Sequence, residues 1–495
     1  MSLVLERRVS PGLVFAGIAL LGVFWGFVVA LAGLNALYLC AALVGCAFIL
    51  LDFRIGVVLL ILLMPISSSR FFPHAMLGIT GLNPLNLLLV GTLGSYLFHR
   101  LSDRSLVRFM PRPLLWLYVV PILIAGALGS RHFGDIAPIL FHGLLEFDNV
   151  TGYVRDLVVK PLLIVIFALL VGAAASRSEK PEKLLIPALI SVWVMGSMVI
   201  LFVYLSGVTL GELASSTSRE FLSALGMHAN ELGRMYEVSY ALLLFTWAES
   251  KEPRLRFALL ASMGLVMIAL MLTFSRGAFL GFIVVNVLFL LWRRNLKTLI
   301  FGCLVAAVAL LVLPSAVYDR VATGFGRGFG SGSNMISAGR IEFLWLPLLP
   351  EVPRSPIYGN GLGSILWSDA MRKEGGVTVL GVAQAHNAYL ETVLDMGFAG
   401  LALVCAYFAH VWKAFRVLSV DPAISSTLRG FYQGAGAGLA GLLAGGISTG
   451  YLTPAPDQIF LWLAIGMMYG QRARSAGDLG VSHQYVQAGS RAQSA

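Results

Sequence analysis

The sequence is short of charge. Only 12% of its 495 residues are Asp, Glu, Lys or Arg, about half the share of about 25% found in ordinary soluble domains. Too few ionic groups remain to coat a water-facing surface, which excludes a soluble enzyme. The 58% hydrophobic content excludes a disordered chain. Cysteine is scarce as well: Cys40, Cys46, Cys303 and Cys405 all fall in apolar segments, so no disulfide framework or CxxC metal site is available. A GxxxxGKS phosphate loop, a GxGxxG turn, an HExxH pair and a His/Cys cluster are all missing. The expectation is a protein that needs neither ATP, nor a metal, nor another cofactor. No twofold internal repeat is visible.

What the chain has instead is apolar length, with a mean hydropathy of +0.84. A membrane-spanning helix needs about 20 apolar residues. Runs of that length or slightly less lie near 12–33, 36–51, 55–68, 84–99, 113–130, 157–176, 184–207, 235–249, 257–274, 277–292, 298–315, 387–412, 430–449 and 456–470. The fold class is therefore an all-α polytopic membrane protein with about fourteen spans, twelve at the least. Net charge is +10, which in a soluble chain would suggest nucleic acid. Here the Lys and Arg residues sit in short clusters between apolar runs. With the N-terminus inside, the short inner segments hold far more of them than the short outer ones, as the positive-inside rule requires. The excess is topology, and nucleic acid is not expected as a partner. Arg7 and Arg8 before the first run suit a signal anchor. Residues 1–315 then carry spans 1 to 11, 316–385 form one long outer loop, 386–470 carry spans 12 to 14, and 471–495 make a disordered cytoplasmic tail.

Polar chemistry concentrates at the outer boundary. Ser275-Arg276 lies between two spans, where a guanidinium either snorkels to headgroups or grips an anion bidentately. The long loop carries glycine-rich stretches at 324–333 and 359–364. It also holds Gly339-Arg340, followed by apolar residues that suggest a short helix on the membrane surface; a surface pair of Arg340 with Glu342 or Glu351 is the plain alternative. Lys160-Pro161 places a third cation near a proline break. At the loop's exit stand His386, Asn387, Tyr389 and Glu391. The positive end of the following helix disfavours imidazolium, leaving His386 neutral and able to accept a proton. Glu391 and Asp395, one turn apart, are intramembrane carboxylates, which either function directly or pair with Lys160 or an arginine.

In order and setting these residues resemble the O-antigen ligase and polymerase family of bacterial envelope glycosyltransferases. The resemblance covers about residues 220–415: His228-Ala229-Asn230-Glu231-Leu232, then Ser275-Arg276, Gly339-Arg340 with Trp345, the Gly359–Gly363 turn, and His386-Asn387-x-Tyr389-Leu390. It implies a GT-C-like enzyme of the bacterial inner membrane with its site facing the periplasm. Such an enzyme moves a glycan from undecaprenyl diphosphate to an acceptor hydroxyl, by a metal-independent inverting reaction. The acceptor is a growing glycan or a lipid A-core, and membrane lipids are the other partners. Under that reading Arg276 and Arg340 clamp the diphosphate and His386 is the general base. Ser275, Asn230, Asn387, Tyr389, Glu391 and Lys160 support them. Many members have twelve spans rather than fourteen. The reading leans to a polymerase of O-antigen or exopolysaccharide, with ligation in lipopolysaccharide biosynthesis beside it. A polysaccharide or lipid flippase is the rival class, although transporters usually show internal repeats and a midplane site.

Overall fold

The computed structural model describes residues 11–69, 72–76, 79–102, 110–141, 145, 147–209, 212, 218–293, 300, 337, 339–372, 383–448 and 450–492. Twelve long helices organise them: α1 Pro11–Leu51, α2 Phe53–Leu63, α3 Pro84–Ser102, α4 Arg112–Arg131, α5 Val150–Arg177, α6 Pro181–Ser206, α7 Ala229–Glu249, α8 Pro253–Leu272, α9 Arg276–Arg293, α10 Ala388–Val420, α11 Ser426–Gly445 and α12 Ile459–Ala492. The only strand pairing among the described residues is a two-residue antiparallel bridge, Ala75 with Thr80 and Met76 with Ile79. Among the described residues the architecture is otherwise helical, consistent with a polytopic membrane protein. Six helices among the described residues (α4, α5, α6, α8, α9 and α10) are long and apolar enough to cross a membrane, and Leu37–Leu51 and Phe53–Leu63 are shorter apolar helices. Apart from Ile300, the run at 298–315 and the glycine stretch at 324–333 lie outside the described residues.

Asp52 separates the apolar helix ending at Leu51 from α2 by capping it, its side chain accepting from Arg54 N. A second division falls at Gly33, where α1 breaks with φ +70°, between the expected runs. Proline acts less as a breaker than expected. Lys160-Pro161 follows a π-turn at Arg155–Val159, and the same spacing recurs at Leu115–Val119 before Pro121 and at Ile341–Trp345 before Pro347. A proline lacks the N–H of the regular ladder, and the wider i→i+5 turn absorbs that loss without ending the helix. The backbone of α12 runs helical to Ala492.

At the centre lies α7, buried along almost its whole length although it carries Glu231, Arg234 and Glu237. Its closest partner is α11, and contact is backbone to backbone. A Cβ on Gly434 would stand 2.5 Å from Ala241 O, so only glycine allows the approach, the small-residue packing used where lipid supplies no hydrophobic drive. A similar contact joins α12 to α5, where a Cβ on Gly466 would lie 2.2 Å from Ala168 O.

The described part of the long loop is compact. Leu344, Leu348, Ile365, Leu366, Trp367 and Met371 bury against Ile136, Leu140, Phe147 and Tyr153 as a second apolar cluster beside the helical core. The loop is also fastened into α10, which breaks at Gly397 with φ +67°. Four hydrogen bonds bridge the break. Asn360 N donates to Leu394 O at 2.8 Å and Gly361 N to Asp395 O at 3.0 Å. Phe398 N donates to Pro356 O at 2.8 Å and Ala399 N to Ile357 O at 3.2 Å. The Gly359–Gly363 turn is thus a structural lock. Leu362 N further donates to Ala125 O, Tyr153 Oη–H donates to Leu362 O, and Ser364 donates through N and Oγ to Asp395 Oδ1 at 3.1 and 2.8 Å.

Candidate active site

Four helix ends meet at one end of the bundle. Helix α7 enters through His228, whose Nδ1 accepts from Asn230 N at 3.2 Å while Glu231 Oε2 accepts from His228 N at 2.9 Å, a reciprocal cap. Asn230 itself is buried. Helix α9 starts at Arg276. The preceding Ser275 is buried, and its Oγ accepts from Ala278 N at 3.4 Å. A Cβ on Gly233 of α7 would touch Ala278, Ser275 and Thr273, and one on Gly445 of α11 would lie 2.9 Å from Gly277 O. Those glycines bring the first turn of α9 against the site halves of α7 and α11.

The turn before α10 is tied to the same place. Ala388 N donates to Gly446 O at 2.8 Å and Tyr389 Oη–H to Leu443 O at 2.7 Å. Asn387 caps the helix by accepting from Tyr389 N and Leu390 N, both at 3.1 Å. Glu391 Oε2 accepts from Ala385 N at 3.2 Å, which fixes the backbone presenting His386. That residue has φ +49°; among the described residues the only other non-glycine with positive φ is Phe274, at +48°, two residues before Arg276. Such conformations cost of order 1–3 kcal/mol and gather at functional sites. Both are at this end.

Arg340 reaches in from the loop, its Nη1 donating to Ser448 O at 2.5 Å in the link between α11 and α12. Trp345, on the same short helix, donates from Nε1 to Ala385 O at 2.9 Å. Glu351 serves Arg354 instead, at 2.7 Å, and accepts from Asp369 N. His386 Nδ1 is buried with no hydrogen-bond partner. Burial first, then the positive charge of Arg340 and the nearby His228 and Arg234, pushes its imidazole down to about 4.

The structure therefore gathers His386, Asn387, Tyr389, Glu391, Arg340 and Asn230 at the end where Ser275 and Arg276 open α9. Lys160 is different: its Nζ pairs with Asp156 Oδ1 at 2.8 Å, with the side chain 55% exposed. Asp395 answers to Ser364 rather than to a cation. Among the described residues no group of three or more His, Cys, Asp or Glu converges as metal ligands would. Sequence reasoning missed Arg234, which is 1% exposed and pairs with Asp457 at 2.5 Å. The available signal was a basic residue one turn after Asn230 in a helix otherwise able to bury itself. A comparison with curated proteins finds none that matches. Residues 257–405, which contain Ser275, Arg276, Arg340 and His386, match the family model described as O-antigen ligase, a match that supports the resemblance to the O-antigen ligase and polymerase family.

Proposed function

We propose that the chain transfers a glycan from undecaprenyl diphosphate to an acceptor hydroxyl, at the periplasmic face of the bacterial inner membrane. The observation that carries this reading is the meeting of Arg340 and His386 with the first turn of α9, which begins at Arg276. Guanidiniums neutralise the diphosphate as the anomeric C–O bond breaks and its electron pair leaves with the lipid diphosphate. The acceptor oxygen forms the new bond from the opposite face, inverting the centre, and its proton passes to His386. With its imidazole down near 4, His386 is neutral at working pH but a weak base. Donor binding offsets this, because the diphosphate's negative charge beside Arg340 favours the imidazolium and raises basicity where it is used.

Charge distribution supports the side. Arg112, Arg177, Lys180, Lys183, Lys251, Arg254, Arg256, Arg293 and Arg429 lie at helix ends or turns opposite the site, as a cytoplasmic face requires. A site at one bundle end, formed with the loop, suits a transferase better than a midplane transporter. Polymerisation of a lipid-linked polysaccharide is the preferred form, with ligation to a lipid A-core beside it.

The test is transfer from purified undecaprenyl-diphosphate glycan in nanodiscs, with donor binding measured separately. His386→Ala is expected to lower transfer about 100-fold or more while leaving donor binding nearly intact. Near-normal transfer by that variant would remove His386 from the reaction. Reporter fusions at Gly332 and after Gln471 are expected on opposite sides of the membrane, and same-side signals would overturn the topology.

A further inference from the structure

Arg234 and Asp457 both fall outside the family-matched residues, and the reaction just described does not use them. They form a buried ion pair, with side chains 2% and 1% exposed and Nη2 2.5 Å from Oδ2. The pair is close but poorly aligned. Arg234 Nε and Nη1 find no hydrogen-bond partner in the protein. A buried pair with unsatisfied donors returns little of its desolvation cost as stability, but its position gives it a role. The guanidinium abuts Gly450 through Nη1, which a Cβ there would approach to 1.3 Å, and the backbone has φ +86°. Two residues earlier, Ser448 O receives Arg340. Two arginines thus bracket one short piece of backbone.

We infer that Arg234, held by Asp457 over Gly450, is a positioning residue of the transfer site: it fixes the link that presents Ser448 to Arg340, and it keeps a permanent positive charge behind His386. This rests on the reading of His386 as the base. The charged and titratable groups that act on the His386 imidazole include Arg340 from the loop and His228 and Arg234 from α7. On its own helix Glu391 holds the neighbouring Ala385 N. Tyr451, in the same link as Gly450, lies within electrostatic reach of Arg234, Glu391, Glu231 and Asp395. The sign follows from the charges. Neutral His386 is the competent form, and a nearby cation disfavours its protonation. Removing the cation makes protonation easier, so activity is lost at a higher pH on the acid side.

The experiment is the pH profile of transfer by the full chain in nanodiscs, as kcat and as kcat/KM for the donor, for the parent protein, Arg234→Gln, Arg234→Lys and Gly450→Ala. Monodispersity and thermal unfolding report the fold of each. Arg234→Gln is expected to move the acid limb of kcat/KM to higher pH and to lower kcat by on the order of 10²-fold, the scale of a small misplacement of catalytic groups. Arg234→Lys keeps the charge but not the planar fork, so it should restore the limb without restoring the rate. Gly450→Ala keeps both charges and displaces the link, so KM for the donor should rise with the limb unmoved. An acid limb identical in the parent and Arg234→Gln, or a parental kcat in that variant, overturns the inference. If Arg234→Gln does not fold, Gly450→Ala decides, and a parental KM there overturns it. Loss of the base assignment shows differently: His386→Ala would then still transfer.

Discussion

The two ends of the bundle use arginine in opposite ways. Away from the site, Arg293 pairs with Glu249 at 3.0 Å with both side chains partly exposed. Arg256 lies over the Trp247 ring at 5.1 Å, and Arg474 Nη1 donates to Ser178 O at 2.7 Å. Arg177 and Arg293 sit in last helical turns, where a cation complements the helix dipole. These are inexpensive contacts that hold orientation. At the site end Arg340 is anchored on the backbone of a distant element and Arg234 is sealed inside the protein. Phe274 and His386, the non-glycine residues with positive φ among the described residues, are there as well. One end is built for comfort in water and headgroups, and the other spends stability on placing charge.

That contrast can be broken by substitution. Arg276→Lys and Arg340→Lys each keep the charge but lose the planar fork. Each is expected to lower transfer by about 10–100-fold, the equivalent of a charge-assisted hydrogen bond worth about 1.5–3 kcal/mol; full activity in both would erase the distinction between the ends. Gly434→Leu forces a side chain into the backbone of α7 and should destabilise the fold by about 1–3 kcal/mol, read by thermal unfolding in detergent. Ser364→Ala removes a hydroxyl donor to Asp395 and should cost about 0.5–1.5 kcal/mol in the same assay, with no loss if Asp395 is held well enough by the other contacts. Glu249→Gln at the far end should change stability by no more than about 1 kcal/mol and leave transfer unaltered. A loss of transfer there would show that the far end is coupled to the chemistry.

The sequence made the site end legible where chemistry and helix boundaries coincide. Asn387 reads as a cap because its spacing before Tyr389 and Leu390 is local, and Arg276 and Arg340 announce themselves as guanidiniums beside long apolar runs. Arg234 stayed hidden because its partner Asp457 and the glycine that admits it lie far along the chain, and only the folded bundle joins them. The fastening of the Gly359–Gly363 turn stayed hidden for the same reason, since its partners in α10 cannot be inferred from spacing. Lys160 suggested a broken helix, but a π-turn accommodated its proline without a break.

The fastening of the loop across Gly397 also has a consequence for how the protein is made. Pro356, Ile357, Asn360 and Gly361 leave the ribosome before Leu394, Asp395, Phe398 and Ala399, the residues whose backbone groups they match. Until α10 enters the membrane those loop groups bond to water, and the segment of α10 around its break has unsatisfied carbonyls and amides that hydrocarbon would not tolerate. The two therefore become stable together, and the loop's fold is completed as α10 is installed. A change that loosens the turn at Gly359 is therefore expected to show itself first in biogenesis, as failure to place α10.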